Sequence, residues 1–383
     1  GILFADHPEE IFAVRKDCPL IVGTSSEGSF IASDVPAILK YTREVYYIDN
    51  QEVVALKENE IHFYTVDEEE IQKTPSHVDW DAEAVAKGGY EHFMLKEIYD
   101  QPRAVRETFE KHMKDGNVEI EELRMTDEEI RKLSRIHIVA CGTAYHAGMT
   151  AKYVIESMAR ISVEVDMASE FRYRNPIIEE GALVIVISQS GETADTLQAL
   201  RDSKARGAKV LGIVNVVGST KAYSAQLIAL YLLAMKFARV KGTISEEEYQ
   251  QLVFDLRRLP EQIELLLGNK TRIQRFANRY VAAKSVFFIA RGLDYTLSME
   301  GSLKLKEITY MHSEAYAAGE LKHGPISLIE DGTLVMASLT QEDLYKKTIS
   351  NIREVKSRGA FVLALTTTGH DDIEDTADYV LYI

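Results

Sequence analysis

Hydroxyl-bearing residues and a glycine follow an apolar stretch near the middle of the chain. Residues 183–187 read Leu-Val-Ile-Val-Ile, which predicts a buried strand, and residues 188–193 read Ser-Gln-Ser-Gly-Glu-Thr. We expect a helix to begin at Thr193. Loop N–H groups, the helix N-terminus and three hydroxyls would then converge on one place, which favours binding of a phosphate monoester. For this loop taken alone, an ordinary capped helix start with Ser/Thr turn chemistry remains the alternative.

A second loop, Cys141 to Ala144, follows the apolar run 136–140. Ligands of parallel sheets bind at the carboxyl ends of the strands, where this loop would lie. Gly142 permits a sharp turn and Thr143 offers a hydroxyl. Cys141 has no basic partner in the neighbouring sequence, so a small buried packing residue is the more common role for it.

Charged side chains that could act on a bound sugar lie further along the chain. Glu300, Lys304 and Glu307 fall at i, i+4 and i+7, on one face of a predicted helix. Such alternation usually marks a solvated face, but the equivalent stretch of an internal repeat is apolar, which favours a cleft. His323 precedes Gly324-Pro325, a turn. A lone loop histidine is often only exposed; beside carboxylates and a phosphate loop it is a candidate acid or base.

A phosphate loop combined with Glu, Lys and His indicates sugar-phosphate chemistry. A carboxylate that moves a proton between C1 and C2 interconverts a ketose and an aldose. A histidine near the ring oxygen can open the ring, and a lysine can form a Schiff base or hold a hydroxyl. This chemistry requires neither a metal nor a redox cofactor, and we expect no cofactor.

The second half of the chain is an internal repeat. Gly292 follows Gly142 by 150 residues, segment 318–323 follows segment 168–173 by the same interval, and Thr333 follows Leu183 likewise. Each copy contains short apolar runs separated by helical stretches, which predicts a parallel α/β sheet. The site is then expected at the switch point of a sheet or at the seam between the two copies. The predicted strands cover residues 136–140, 163–165, 183–187 and 210–214 in the first copy, and 285–290, 333–337, 361–366 and 379–383 in the second.

Four regions follow from these patterns. Residues 1–75 show short runs of alternating apolar and polar residues, which predict a β-rich region. Residues 76–130 form a linker and a helix over 91–113, and we expect this helix to break at Gln101-Pro102. Residues 131–268 form the first α/β subdomain with a helical extension, whose two helices are split near Gly242 and whose second helix is capped by Ser245. Residues 269–383 form the second subdomain.

Composition excludes several classes of function. A formal net charge of -16 and the absence of a Lys/Arg-rich run argue against a nucleic-acid partner. Cys18 and Cys141 form neither a disulfide framework nor a zinc motif, which predicts a reducing, cytoplasmic location. The longest apolar stretch, residues 227–235, is too short to cross a bilayer, so no membrane association is expected.

The motifs together resemble those of the glucosamine-6-phosphate synthase family, the isomerising glutamine–fructose-6-phosphate aminotransferases, from end to end. The shared motifs are strand-Cys-Gly-Thr at 141–143, Ser-Gln-Ser-Gly-Glu-Thr at 188–193 and Gly-Glu-Leu-Lys-His-Gly-Pro at 319–325. The resemblance implies tandem flavodoxin-like parallel α/β subdomains of the sugar-isomerase (SIS) type. It implies that the second half of an antiparallel β-rich N-terminal-nucleophile glutaminase domain precedes them.

The resemblance also assigns roles. Glu307 would transfer the proton, His323 would open the sugar ring while reaching into the neighbouring subunit of a homodimer, and Lys304 would lie in the sugar pocket. Asp34, within Phe-Ile-Ala-Ser-Asp, would hold the amino group of glutamine. The residues implied to bind fructose 6-phosphate are Thr143, Ser188, Gln189, Ser190 and Thr193.

Several departures from the family are visible. The amino-terminal cysteine, arginine and Asn-Gly segments of the glutaminase and the carboxyl-terminal Schiff-base lysine lie outside this sequence, so we expect the chain as written not to hydrolyse glutamine. Near residues 218–220 the family has about one more βα unit, so the first copy is expected to lack its last strand. Ser219 would match a sugar-contacting serine beside that junction. Ala144, in the substrate loop, replaces a hydroxyl residue and removes one possible phosphate contact.

The function expected is glutamine-dependent amination and isomerisation of fructose 6-phosphate to glucosamine 6-phosphate, the first step of hexosamine synthesis. Two alternatives stay open. One is a sugar-phosphate isomerase or deglycase with SIS halves alone, against which the β-rich residues 1–75 argue. The other is a non-catalytic sugar-phosphate sensor, which would have no need of Glu307, Lys304 and His323 together.

Overall fold

The computed structural model describes residues 1–16, 19–58, 60–78, 89–191, 193–214 and 219–383. The prediction made for Cys18 lies outside these residues. The chain divides into two compact units, one made of Gly1–Lys96 with Glu192–Leu197 and the other of Glu97–Gly191 with Gln198–Ile383. Each unit has its own hydrophobic core.

Two antiparallel sheets build the first unit, as the alternating pattern predicts. Their strand orders are β1-β2-β6-β7-β8 and β4-β3-β5-β9. Ala13, Val54 and Phe63 of the first sheet pack with Val22 of the second in one buried cluster, so the inner faces of the two sheets form the core. The strands are β1 Ile2–Phe4, β2 His7–Val14, β3 Ile21–Ser25, β4 Gly28–Ala32, β5 Glu44–Tyr47, β6 Glu52–Lys57, β7 Glu60–Thr65, β8 Glu70–Ile71 and β9 Ser76–His77.

A long helix, α1, covers Phe93–Lys111 and passes through Pro102 without ending. The predicted break at this proline is therefore wrong. A proline inside a helix costs about 3 kcal/mol, but Val105 and Phe109 are buried on the same helix and pack with residues such as Leu232. Each buried side chain of this size contributes about 1.5–3 kcal/mol, which offsets the lost hydrogen bond. A short hairpin follows, β10 Met113–Lys114 and β11 Asn117–Val118.

The second unit contains two wholly parallel sheets, which confirms the predicted α/β repeat. Their orders are β13-β12-β14-β15 and β17-β16-β18-β19-β20, the flavodoxin-like arrangement in which the first strand lies between the second and third. The strands are β12 Arg135–Ala140, β13 Ser162–Met167, β14 Leu183–Ser188, β15 Lys209–Val214, β16 Ser285–Ala290, β17 His312–Ala317, β18 Leu334–Leu339, β19 Phe361–Thr366 and β20 Tyr379–Tyr382.

Helices connect and cover these strands. Among the described helices, none has the length and apolar character needed to cross a membrane. The predicted helical pair between the two copies is confirmed as α6 and α7, and Ser245 caps α7 in a reciprocal capping box with Glu248. The α-helices after α1 are α2 Asp127–Lys132, α3 Gly142–Ala159, α4 Ala168–Tyr173, α5 Ala194–Ala205, α6 Ser219–Lys241, α7 Glu246–Gly268, α8 Lys270–Arg279, α9 Gly292–Thr309 and α10 Glu342–Lys356.

The turn from the first strand into the first helix is the same in both copies. Gly142 and Gly292 have φ values of +52° and +56°, in the left-handed region that residues with a side chain rarely adopt. This conformation lets α3 and α9 start directly after β12 and β16. The glycine spacing seen in the sequence therefore reflects one repeated backbone turn.

The two copies differ in ways that the apolar pattern only partly predicts. The apolar pattern does not predict strand β17, because its sequence, His-Ser-Glu-Ala-Tyr-Ala, is not an apolar run. The strand forms with Ser313 buried, and the Ser313 hydroxyl donates to Ser302 Oγ at 2.8 Å, which gives both hydroxyls a partner inside the core. Within the described residues the first sheet has four strands and the second has five. The expectation that the first copy lacks its last strand agrees with this difference.

Helices α3 and α9 join the two copies. They contact each other, and Thr150 and Thr296 share a buried hydrogen bond of 2.8 Å across the contact. Gly148 lets α3 lie close to its own sheet, because a Cβ there would stand 2.9 Å from Ile138 Cγ2. The packing therefore holds the N-terminal part of α3 against α9.

Candidate functional site

The proposed phosphate loop begins where β14 ends. Ser188 is buried and its Oγ accepts the backbone N–H of Gly191 at 3.0 Å, while Gln189 and Ser190 are exposed. Gly191 has a φ of +75°, which closes the turn. Thr193 precedes α5, and its carbonyl accepts the N–H of Leu197, so α5 starts within one residue of its predicted start. The described residues on either side of position 192 therefore belong to a strand end, a turn and a helix start, and helix N-termini in such positions can bind anions.

The loop after β12 lies at the same edge of the sheet. β12 and β14 are adjacent and parallel, with Ala140 paired to Ile187, so Thr143 and Ser188 follow neighbouring strand ends. Thr143 is half-buried and belongs to the first turn of α3. The methyl group of Ala144 is buried in the hydrophobic core, so this side chain cannot contact a ligand. Only the backbone of Ala144 could bind one.

Glu300 connects the two copies of the repeat. Its side chain, on α9, is only 8% exposed. Its Oε1 accepts the hydroxyl of Thr143 at 2.9 Å, and its Oε2 lies 2.8 Å from Nδ1 of His146, both of which belong to α3. A buried carboxylate is tolerated only when it is paired and hydrogen-bonded, and these contacts supply that requirement.

Lys304 and Glu307 extend the polar row along α9. Lys304 Nζ lies 3.7 Å from Glu300 and forms a hydrogen-bonded ion pair with Glu307. The exposed fraction of the side chain rises from 8% at Glu300 to 19% at Lys304 and 48% at Glu307. The row therefore runs from the buried α3–α9 contact outwards to solvent, as expected for a cleft rather than for a fully solvated helix face.

A tyrosine on α6 adds to the polar surroundings of Glu300. Burial is the main reason that the pKa of Tyr223 is raised above its ordinary value, and the Glu300 carboxylate contributes in the same direction. The phenol therefore stays protonated at neutral pH and keeps a proton that it can donate.

Three further predicted residues belong to other elements. His323 is exposed at the end of a 3-10 helix, Ala318–His323, and no contact within the described residues joins it to Glu307. Asp34 is exposed and precedes the short 3-10 helix Val35–Ala37 in the first unit. Ser219 is the first residue of α6, and its side chain lies outside what the structure describes.

Comparison with known proteins identifies the family. The SIS domain family matches residues 129–236 and 280–383. The chain is 51% identical over 406 residues to the isomerising glutamine–fructose-6-phosphate aminotransferase of Caldanaerobacter subterraneus, covering 100% of this chain and 67% of that protein. The Clostridium acetobutylicum protein of the same name is 50% identical with the same coverage. The chain belongs to the isomerising glutamine–fructose-6-phosphate aminotransferases. It spans about two thirds of the length of these relatives.

Solved structures agree with membership of the aminotransferase family. The C-terminal domain of glucosamine-fructose-6-phosphate aminotransferase from Francisella tularensis matches with a TM-score of 0.72 and 36% identity, over 78% of this chain and 90% of that one. Glucosamine-6-phosphate deaminase from Thermotoga maritima matches with a TM-score of 0.53 and 24% identity, over 71% and 84%, which shows the shared fold alone. Because the aminotransferase relatives also align with the β-rich first unit, the match is wider than the SIS domains.

The structure brings some of the predicted site residues together and adds a neighbour that the sequence did not indicate. Thr143, Lys304 and Glu307 are linked through Glu300, which the sequence placed on the helix face but not among the catalytic residues. His146 was missed. Its position three residues after Thr143, on the same face of α3, is the signal that could have found it.

One further group of the aminotransferase chain has the spacing of metal ligands. Within the described part, donor atoms of His137, Glu164 and Asp166 lie within 4.8 Å of one another. Arg135 Nη1 lies 3.0 Å from Glu164, and Arg174 forms a bidentate pair with Asp166. Because both carboxylates already have cationic partners, we assign the group to ion pairing along β12 and β13.

Proposed function

We propose that this chain acts on fructose 6-phosphate in an isomerising glutamine–fructose-6-phosphate aminotransferase, with the sugar between the loops after β12 and β14 and the polar row of α9. The observation that supports this most directly is the linkage of Thr143 from the first copy to Lys304 and Glu307 from the second through Glu300. The residues proposed to bind the phosphate are Ser188, Gln189, Ser190 and Thr193.

Glu307 is the proposed base. After ammonia has replaced the C2 oxygen as an imine and water has left, the C1 carbon carries the proton that must move. The Glu307 carboxylate takes this proton, the electron pair of the C1–H bond forms a C1–C2 double bond, and the π pair of the C2–N bond goes to the nitrogen, which takes a proton from solvent. The proton held by Glu307, or a solvent deuteron that has exchanged with it, then goes to C2 while the C1 hydroxyl releases its proton to solvent, which leaves an aldehyde at C1 and the amino group at C2. Lys304, which is paired with Glu307, stabilises the negative charge that develops on the C1 oxygen as its proton leaves.

The test of this role uses fructose 6-phosphate alone, because removal of the C1 proton needs no ammonia. In D2O the wild-type chain should exchange the C1 proton for deuterium, which NMR detects. Glu307→Gln should retain sugar binding by calorimetry and lose exchange by at least about a hundredfold, the usual contribution of a general base. Full exchange in the variant would show that another group is the base.

His323 is proposed to open the ring of a sugar bound in the other subunit of a homodimer. Its exposure, and the absence of a contact with Glu307 among the described residues, support a role outside its own subunit's site. A mixture of Glu307→Gln and His323→Ala chains, unfolded and refolded together, should recover C1 proton exchange because one hybrid site has both residues intact. Recovery is expected at about a quarter of wild-type sites if pairing is random. No recovery in a confirmed hybrid dimer would place both residues in one subunit's site.

The remaining roles follow from the family. We propose that Asp34 holds the amino group of glutamine, that Ser219 contacts the sugar, and that the reaction belongs to hexosamine synthesis in the cytoplasm. The cysteine content supports a reducing compartment. Formation of glucosamine 6-phosphate from fructose 6-phosphate and an ammonia donor tests the reaction, whereas turnover of fructose 6-phosphate to other sugar phosphates only would favour an isomerase with SIS halves alone.

A further inference from the structure

Three groups surround the buried carboxylate of Glu300. The Thr143 hydroxyl donates to Oε1 at 2.9 Å, His146 Nδ1 lies 2.8 Å from Oε2, and Lys304 Nζ lies 3.7 Å from Oε1. Thr143 and His146 belong to α3 of the first copy, whereas Lys304 lies one turn along the same helix as Glu300. A single carboxylate therefore ties a substrate-binding loop of one copy to the charged row of the other.

The hydroxyl of Thr143 has only one proton to donate. A carboxylate can only accept, so the proton of Thr143 is committed to Glu300 and its oxygen presents lone pairs to the rest of the site. An oxygen in this state can accept from a sugar hydroxyl. It cannot donate to a phosphate oxygen, which is itself an acceptor. The geometry therefore assigns Thr143 to the sugar end of the ligand rather than to the phosphate end.

The orientation of Glu300 is itself fixed. His146 is mostly buried, with 13% of its side chain exposed, and it holds Oε2 so that Oε1 faces Thr143 and Lys304. Charge-assisted hydrogen bonds of this kind are stronger than neutral ones, and they restrict the rotamer of a carboxylate. Without His146, Glu300 could turn, and both Thr143 and Lys304 would lose their shared anchor.

We infer that Glu300, locked by His146, is a positioning residue that makes Thr143 an acceptor for a sugar hydroxyl and holds Lys304 beside Glu307. The inference rests on the proposed function. It separates the two ends of the ligand: the loop after β14 binds the phosphate, and Glu300 sets recognition of the sugar hydroxyls without touching the phosphate.

The test compares two probes, fructose 6-phosphate and inorganic phosphate, by calorimetric titration of the chain. Glu300→Gln replaces an acceptor oxygen with a donor, so the Kd for fructose 6-phosphate should rise about tenfold, the effect of one lost hydrogen bond to a charged group. The Kd for inorganic phosphate should stay unchanged. Glu156→Gln is the matched control, because Glu156 lies on α3 and accepts the N–H of Val163 away from the site. This control should bind both probes like the wild type.

The outcomes separate a positioning role from a structural one. Equal weakening of both probes in Glu300→Gln would overturn the inference, because the whole site would then depend on Glu300. An unchanged Kd for the sugar phosphate would overturn it as well. If the folded wild-type chain bound inorganic phosphate but bound fructose 6-phosphate no more tightly, the proposed function would fail before Glu300 was tested.

Two substitutions of His146 test the lock. His146→Asn keeps an N–H donor near the position of Nδ1 and should bind fructose 6-phosphate almost as tightly as the wild type. His146→Leu removes the donor and should weaken sugar binding as Glu300→Gln does, again with phosphate binding unchanged. Equal behaviour of the two variants would show that the hydrogen bond from residue 146 does not fix Glu300. The thermal midpoint of each variant, compared with the wild type, establishes that the measurements are made on folded protein.

Discussion

Substitution of Gly148 by alanine tests how closely α3 lies on its sheet. The new Cβ would stand 2.9 Å from Ile138 Cγ2 and 3.2 Å from Val165 Cγ1, which is closer than carbon atoms pack. Ile138 is fully buried on β12, so it has little room to move. Since α3 carries Thr143 and His146 two turns or less from Gly148, displacement of the helix would also reach the site.

Two contributions of opposite sign decide the result. Alanine is favoured over glycine inside a helix by about 1 kcal/mol, whereas forcing a methyl group into a packed core costs about 1–3 kcal/mol. The contact below 3.0 Å places the second contribution in the upper part of its range. We therefore expect a net loss of about 1 kcal/mol or more, seen as a lower thermal midpoint by calorimetry.

Gly268→Ala is the matched control. Gly268 ends α7, and no atom lies within 4 Å of the Cβ that alanine would add. Only the helix preference remains, so this variant should be as stable as the wild type or slightly more stable. If Gly148→Ala were stabilised like the control, the close approach of α3 to β12 would be refuted; if the control also lost stability, the value assigned to helix preference would be wrong.

Two further predictions concern stability. Asp294 is buried and accepts both the N–H and the hydroxyl of Thr340, at 2.7 and 2.6 Å. Asp294→Ala should therefore lower the free energy of unfolding, measured by chemical denaturation, by about 2–3 kcal/mol. Asp294→Asn keeps an acceptor oxygen and should lower it by less. The Lys209 ammonium and then the N–H of Thr126 lower the pKa of Glu129 to about 2. A lowered carboxyl pKa contributes stability that is present above pH 4.5 and lost as the pH falls towards 2. Glu129→Gln should therefore be less stable than the wild type at pH 7, and the difference in thermal midpoint between the two should disappear as the pH falls from 4.5 to 2. A difference in thermal midpoint that does not depend on pH would contradict this prediction.

Much of the fold could be predicted because the sequence signals are local. The buried strands β12, β14, β16 and β19 are apolar runs, and each copy repeats the same glycine turn. Strand β17 lacks that signal, since its buried Ser313 depends on a hydroxyl of another element. The predicted break of α1 failed for the same kind of reason, because tertiary packing outweighed the local effect of a proline.

The candidate site could be predicted less completely. The row of Glu300, Lys304 and Glu307 is visible from helical spacing alone. The contact of Glu300 with Thr143 and His146 joins residues more than 150 positions apart, and it depends on how α3 packs against α9. A spacing rule describes one element, so it cannot reveal a hydrogen bond between two helices.

The bond network at Glu300 also limits what a duplicated chain can become. The position equivalent to Glu300 in the first copy is Thr150, a residue without charge, and the position equivalent to Asp294 is Ala144. Two first copies joined together would therefore have no carboxylate at this position to accept the Thr143 hydroxyl. The donor and the acceptor of this contact belong to different copies, so the contact forms only where one copy of each kind meets the other.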